Sequence, residues 1–386
     1  MKMLKDKIII CDSNISWDFN RYSKHHLMAQ FAKRNRVVFV NPQVDAFEYL
    51  KQKGKNYFNR IKCEENLEVL DSIALPFRAK SELIRRLDRF YFSLQLRRFV
   101  RGVQLQDLMF FLGNPSKVFL LDIFKSRGIF IYHCSDNFSE YFKGGYKEKI
   151  AKWEKELISR ADMVIAVSPM LQEKCKKLNP RSYLVEHGVD ERFFSADKIA
   201  QEVPSDLKAI KSPRVGYIGC LDRKIDLELL VKLLSQHPDK SFVFIGTVHE
   251  TFQNSLSFLK ERANFYYLGA KTWWELPLYY QSMDIGFMPF VIDKWTSCCS
   301  SPLKLLEFIA SGKIVVSTAM PISEKILPAV KIAFNQDEFS NLIDVAMSEA
   351  ADPKHSQQRS NLARGRSWKD KAEEISELVE KCLIKK

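Results

Sequence analysis

The stretch Thr296–Thr318, TSCCSSPLKLLEFIASGKIVVST, carries the pattern on which the rest of the chain turns. Ser301 and Pro302 have the chemistry of a helix N-cap and first helical residue, and Gly312 that of a stop, so the sequence predicts one short helix over Pro302–Ser311. A strand, Lys313–Ser317, follows at once. At about 100° per residue, Leu303, Leu306, Ile309 and Ala310 fall on one side, and Lys304, Glu307 and Ser311 on another. The first side is expected to pack and the second to bind. A helix N-terminus offers unsatisfied N–H groups and partial positive charge, and Ser300, Ser301 and Lys304 beside it suit the phosphates of an anionic ligand. Glu307, a turn further in, suits hydrogen bonds from a diol such as a ribose. The pattern alone is also that of an ordinary capped helix with a solvated Lys–Glu pair three apart.

Around this stretch, short β-rich apolar runs alternate with helix-like polar segments. The runs are Ile8–Cys11, Val37–Val40, Leu67–Leu70, Leu108–Leu112, Ile129–Tyr132, Met163–Val167 and Tyr183–Val185, then Val215–Ile218, Phe242–Ile245, Phe265–Leu268, Asp284–Met288, Ile314–Ser317 and Lys331–Phe334. Such alternation predicts parallel sheets with helices on both faces. Thirteen strands are too many for one sheet of this kind, so the chain is expected to form two doubly wound, Rossmann-like α/β domains. The pattern lapses between Val189 and Ser212, a polar segment with prolines at 204 and 213, where a linker is expected. The expected domains are therefore 1–200 and 212–365, followed by an amphipathic C-terminal helix in 366–386. Open α/β sheets bind ligands beyond the carboxyl ends of their strands, so two facing sheets would create a cleft.

The totals narrow the class. With 386 residues, 46% hydrophobic and 28% charged, the chain is long enough for two cores and has the composition of a folded globular protein. No apolar run approaches the roughly 18–20 residues of a membrane span, and Met1–Asp6 is too short and polar for a signal peptide, so a cytoplasmic location is expected. Eight cysteines include no C-x-x-C pair, which argues against a zinc ribbon or a redox motif. A net charge of +13 asks for an acidic partner: nucleic acid, an anionic membrane surface or a phosphate-bearing substrate.

Between Arg78 and Arg101 eight basic residues face two acidic ones, and Leu83, Leu87, Phe90 or Tyr91, and Leu94 recur at helical spacing among them. Such a helix either lies on an anionic membrane or turns an apolar stripe to the core and a basic face to solvent. Nucleic acid is a third reading, unsupported by any binding motif. His25 and His26 are neighbours on a helix, about 100° apart, so a shared metal is not expected and at least one should be solvated. His133 and Asp136 share a loop at a strand's carboxyl end, where they suit orienting a hydroxyl or taking its proton, although such pairs also merely shape loops. In the second half, Gly219 lets a backbone approach a ligand closely, and Arg223 and Lys224 beyond it suit a diphosphate or form a solvated turn. There is no G-x-G-x-x-G, which counts against an ordinary dinucleotide site.

Pro302, Lys304, Glu307, Phe308, Ala310, Gly312, Lys313, Val315 and Val316 resemble the P-x-K-x-x-E-[YF]-[IL]-A-x-G-K-x-V-V segment of glycosyltransferases related to family 4. That resemblance implies the GT-B fold, with Glu307 on the nucleotide ribose and the helix N-terminus facing the diphosphate. Cys299 stands where many members have a second glutamate. Arg214–Lys224 is similar to the family's diphosphate loop, Tyr267–Lys271 with Gly269 and Lys271 to its base-binding loop, and His133–Phe138 to the Y-D-x-x-D-[DN]-[FW] loop of bacterial teichuronic-acid and capsule-type enzymes. Trp17, Asp18 and Phe19 are similar to the entry loop of that type, which implies acceptor contacts for Arg21 and Lys24. The terminal helix is expected to pack back on the first domain, as it does in the family.

The resemblance implies transfer of a sugar from a UDP- or GDP-sugar to a hydroxyl of a glycan or lipid-linked glycan, with retention at the anomeric carbon. The implied catalytic residues are Asp136, His133 and Lys304, and the implied nucleotide-sugar contacts are Gly219, Arg223, Lys224, Gly269, Lys271, Ser300, Ser301, Lys304 and Glu307. No Asp-x-Asp pair is present to hold a cation, so no metal and no cofactor is expected. The expected partners are donor, acceptor and an anionic membrane at the inner face, without nucleic acid. Two other readings stay open: a sugar-nucleotide epimerase, and a catalytically silent GT-B-like subunit.

Overall fold

A computed structural model describes residues 3–17, 21–51, 61–64, 66–78, 80–197, 203–293, 296, 302–350 and 352–384. The chain divides into two compact units, Met1–Glu186 with Trp368–Lys386, and His187–Ser367.

In the first unit the elements run β1 (Ile8–Asp12), α1 (Ser23–Ala32), β2 (Arg36–Val40), β3 (Val44–Asp45), α2 (Ala46–Lys51), β4 (Ile61–Glu64), β5 (Leu67–Leu70), β6 (Ile73–Ala74) and α3 (Glu82–Val100). They continue through β7 (Leu108–Leu112), α4 (Leu120–Phe124), β8 (Ile129–Cys134), α5 (Gly144–Arg160), β9 (Met163–Ala166), α6 (Pro169–Lys176) and β10 (Ser182–Leu184). Eight strands form one sheet in the order β10-β9-β8-β7-β1-β2-β5-β4, parallel except for β4 at its edge. All five residues of β7, LMFFL, are buried, as a parallel strand covered on both faces requires. Phe110 and Phe130 stack at 4.4 Å between ring centroids and join neighbouring strands through their side chains.

The second unit runs β11 (Arg214–Ile218), α7 (Leu227–Gln236), β12 (Ser241–Ile245), α8 (Gln253–Leu259), β13 (Phe265–Tyr267), α9 (Leu276–Gln281), β14 (Ile285–Met288), α10 (Leu303–Ala310), β15 (Val315–Thr318), β16 (Val330–Ala333), α11 (Gln336–Ala350) and α12 (Pro353–Leu362). Its six strands are all parallel, in the order β13-β12-β11-β14-β15-β16. Both sheets are doubly wound, as expected. The chain builds outward from β1 or β11 and then restarts on the other side at β7 or β14, which makes the gap between those strands the switch point where such sheets bind ligands.

The polar segment expected to be a linker lies within the second unit, because Phe193, Leu207 and Ile210 are buried in that unit's core. Val189 bridges Ser367 and so ties together the two ends of the unit. The last helix, α13 (Trp368–Ile384), is part of the first unit. Trp368, Ala372, Ile375, Val379 and Cys382 recur on one face and are all buried, with Trp368 stacked on His26 at 5.0 Å.

Helix α3 departs from the core-facing alternative. Its buried face is Phe92, Leu96, Phe99 and Val100, whereas the Leu83, Leu87, Phe90 and Leu94 stripe lies exposed. His25 and His26 are both buried, against the expectation that one is solvated. His25 accepts from the Tyr22 N–H at 3.2 Å, its other ring nitrogen lies 3.1 Å from the Ser16 carbonyl, and burial pulls its pKa down to about 4.

Candidate active site

Helix α10 starts one residue later and ends one residue earlier than the sequence suggests, with Pro302 at its N-cap. Gly312, at φ +76°, provides the left-handed stop, and a Cβ there would lie 2.1 Å from the Ser356 hydroxyl. The helix C-terminus is satisfied from α12: Ser360 Oγ donates to the Ala310 carbonyl and Arg359 Nε to that of Gly312, each at 2.8 Å. The packing face is broader than expected, because Leu305 and Phe308 are buried with Leu306, Ile309 and Ala310. Gly286 on β14 makes this possible, since a Cβ there would meet the Phe308 ring at 2.7 Å. Ser311, expected on the binding face, is buried, and Leu303 is only half-buried.

Lys304 and Glu307 are half-buried, and neither belongs to a solvated surface pair. Lys304 Nζ donates to the Tyr217 hydroxyl at 2.9 Å and lies 4.2 Å from the centre of that ring. Glu307 Oε2 accepts from the Tyr280 hydroxyl at 2.5 Å. Tyr217 belongs to β11 and Tyr280 to α9, so three elements around the switch point hold this pair. Burial pulls the Lys304 ammonium down to about 7, and the charge on Lys224 acts in the same direction. Burial pushes the Glu307 carboxyl up to about 7, against the Tyr280 bond and the Lys304 charge, while Asp190 and Arg192 act on it in opposite senses. Both groups therefore change charge near neutrality.

Beside Lys304 the sheet's carboxyl edge is bare backbone. Gly219, Gly246 and Gly269 follow β11, β12 and β13 with φ of +150°, +146° and +74°. Gly246 N–H donates to the Gly269 carbonyl at 2.9 Å, and a Cβ on Gly246 would fall 1.9 Å from the Gly219 carbonyl oxygen. A Cβ on Gly219 would meet Lys304 Nζ at 2.4 Å, so the lysine lies directly over that glycine. Lys224 is half-buried with Nζ 3.5 Å from Asp222, and Arg223 is exposed in the same turn. Lys271 stands apart: it forms an ion pair with Asp206 at 2.5 Å, and that carboxylate also accepts from Tyr279. Ser300 and Ser301 lie outside the described residues, as does Cys299.

The structure thus brings together Gly219, Lys304 and Glu307, with Lys224 near enough to act on Lys304. The sequence reading missed Tyr217, Tyr280 and Gly246. It also missed Arg192, whose guanidinium carbon lies 3.4 Å from the Trp273 ring centre and 4.7 Å from that of Trp274.

In the first unit His133 lies within β8, one residue before its end and not in the loop with Asp136, and is buried with its ring 5.2 Å from Phe111. Asp136 is half-buried and engaged within its own loop, accepting from the Asn137 N–H at 2.8 Å and from the Tyr141 hydroxyl. Lys24, expected to be an acceptor contact, is buried with Nζ 3.3 Å from the Asp12 carbonyl. Among the described residues no group of three or more His, Cys, Asp or Glu side chains could hold a metal ion.

Two doubly wound α/β units in one chain make this the GT-B fold. The structure is similar to that of Anabaena Alr3699/HepE in complex with UDP, 15% identical with a TM-score of 0.65, over 97% of this chain and 100% of that one. It is also similar to a UDP-forming alpha,alpha-trehalose-phosphate synthase from Burkholderia xenovorans in complex with glucose-6-phosphate, 10% identical with a TM-score of 0.71, over 97% and 100% of the two chains. In sequence the chain is similar to a proposed teichuronic acid biosynthesis glycosyltransferase, TuaH of Bacillus subtilis (strain 168), 28% identical over 253 residues. That match spans 62% of this chain and 63% of the relative's length. No protein-family model matches the chain.

Proposed function

We propose that the chain is a glycosyltransferase that moves a sugar from a nucleoside diphosphate sugar to a hydroxyl of a glycan or lipid-linked glycan in bacterial surface polysaccharide synthesis. The observation that carries this is the Lys304–Glu307 pair, held by two buried tyrosine hydroxyls over a glycine-lined edge at the switch point of the second sheet. UDP is the favoured nucleotide, because the similar HepE structure contains it. The bond between the anomeric carbon and the diphosphate breaks, and one from the acceptor oxygen forms. Charge then builds on the leaving diphosphate, where Lys304, Lys224 and Arg223 stabilise it without reorganising. Gly219 and Gly269 let the backbone approach the nucleotide, and Ser300 and Ser301 precede the same helix. Lys271, already paired with Asp206, is the weakest of the proposed contacts.

In the first unit Asp136 is the better candidate to orient the acceptor hydroxyl or take its proton, since His133 is more deeply buried. Retention at the anomeric carbon and independence of metal complete the proposal.

Titration with UDP and GDP tests the core of it, and failure of both to bind favours a silent subunit. Turnover of donor without acceptor favours an epimerase. Glu307→Ala is expected to weaken UDP binding by about 1–3 kcal/mol, the cost of losing hydrogen bonds to a charged group. Unchanged affinity in the folded variant removes Glu307 from the site. Transfer from labelled sugar nucleotides to a membrane extract should survive EDTA; loss restored by Mn²⁺ overturns the metal-independent mechanism.

A further inference from the structure

The first unit carries a surface to which the proposed transfer gives no role. Leu83, Leu87, Phe90 and Leu94, spaced four, three and four residues apart, form one row along α3 and are 68%, 51%, 55% and 43% exposed. Continuing the same spacing, the row ends in Arg97 and Arg101, with Arg86 and Arg98 on its flanks, all exposed. The turn before α3 adds exposed Phe77, whose ring lies 5.6 Å from exposed Phe47. Glu82 is the acidic residue beside the row, and Arg85 and Arg86 pair with it. At the far end Arg97, Arg101 and Arg127 line a cleft of about 350 Å³ with Val100, Ile123 and Phe124.

Single exposed apolar side chains are ordinary, but a continuous row of four on one helix face marks a docking surface. Its charge selects the occupant. An uncharged apolar partner would leave the arginines desolvated, whereas an anionic bilayer accepts apolar side chains among its acyl chains and guanidinium groups at its phosphates. A cleft with three arginines and apolar walls matches the boundary of a phospholipid, since guanidinium forks fit phosphate oxygens. We propose that α3 docks the first unit on an anionic phospholipid surface, the Leu83–Leu94 row entering the acyl region and the Arg97–Arg101–Arg127 cleft holding a headgroup phosphate. This is independent of the transfer reaction.

Co-sedimentation of the full chain with vesicles tests it. Vesicles of phosphatidylcholine with about one third phosphatidylglycerol should bind at least tenfold more tightly than phosphatidylcholine alone. Leu87→Ser with Leu94→Ser should weaken that binding about tenfold or more, and so should Arg97→Gln with Arg101→Gln. These side chains are exposed, so melting temperature and UDP affinity should stay unchanged; if the serine pair melts early, the arginine pair supplies the test. Equal binding to neutral vesicles, no binding to anionic ones, or unaffected variants would overturn the proposal. So would a dimer that the serine pair converts to a monomer while vesicle binding persists, because the face would then join two copies. UDP titration reads the second unit alone, so the two proposals fail separately.

Discussion

Each unit sets a lysine over a glycine at the carboxyl edge of its sheet. In the second, a Cβ on Gly219 would meet Lys304 Nζ at 2.4 Å; in the first, a Cβ on Gly113 would meet Lys24 Nζ at 2.0 Å. Burial lowers the pKa of both lysines. The difference is in the charges around them. Lys24 is sealed beside the buried Asp12 carboxyl group, which favours its charged form, and beside Cys11, whose thiol burial pushes up to about 12 and so keeps neutral. Lys304 is more open, and the strongest neighbouring charge acting on it is another cation, Lys224. One lysine has its counter-charge built into the fold, and the other sits where an incoming anion would supply it.

Replacing each lysine by methionine breaks or sharpens this contrast. Lys304→Met is expected to lower turnover by about 10²–10³, the effect of removing one preorganised donor from a developing oxyanion. Its stability should hold or rise, because burial disfavours its charge and the neighbouring charge that acts on it most strongly is the cation Lys224. Lys24→Met should do the reverse and lower stability, because it leaves the buried Asp12 with Lys117 as its remaining nearby cation; the loss of a full buried pair, about 3–5 kcal/mol, is its upper bound. Denaturant melts and turnover on the same preparations separate the two effects. Equal stability losses with equal activity losses would mean that both lysines are structural.

The same contrast marks what could be read in the letters. Thirteen strands were legible because most are continuous apolar runs, as strands covered on both faces must be, and LEVL of β5 and VKIA of β16 break theirs with only one charged residue each. The two-residue strands Val44–Asp45 and Ile73–Ala74 are too short for a pattern, and the antiparallel edge strand Ile61–Glu64 is too polar. In the site, Lys304 and Glu307 were legible from their three-residue spacing on one helix. Tyr217 was not, because a tyrosine in an apolar run reads as core and its partner stands 87 residues away. Gly246 reads as an ordinary turn until the neighbouring strand brings the Gly219 carbonyl against it. Periodicity also revealed the stripe on α3 but could not say which side of the helix the sheet would cover. The evenly spaced stripe on α13 is buried, whereas that on α3 is exposed.

The finer prediction concerns pH. Free Lys304 loses its proton near 7, and an anionic diphosphate against Nζ raises that value, so binding above pH 7 takes up a proton. The affinity for a nucleotide sugar should then fall as pH rises through 7 toward the value in the complex, by up to about tenfold per unit. A sugar nucleotide is the right probe, because its diphosphate has no group titrating near neutrality. Glu307 sets the other limb. Its carboxyl is neutral below about 7 and accepts ribose hydrogen bonds less well, so affinity should also fall toward acid. The two groups interact, and the midpoints belong to the pair. Calorimetry between about pH 5 and 9 assigns the limbs: Glu307→Gln should flatten the acid side, Lys304→Met the alkaline side, and Lys24→Met neither. A flat profile in the unmodified protein would place the diphosphate away from Lys304, and a profile altered by Lys24→Met would show that the sealed lysine is not sealed.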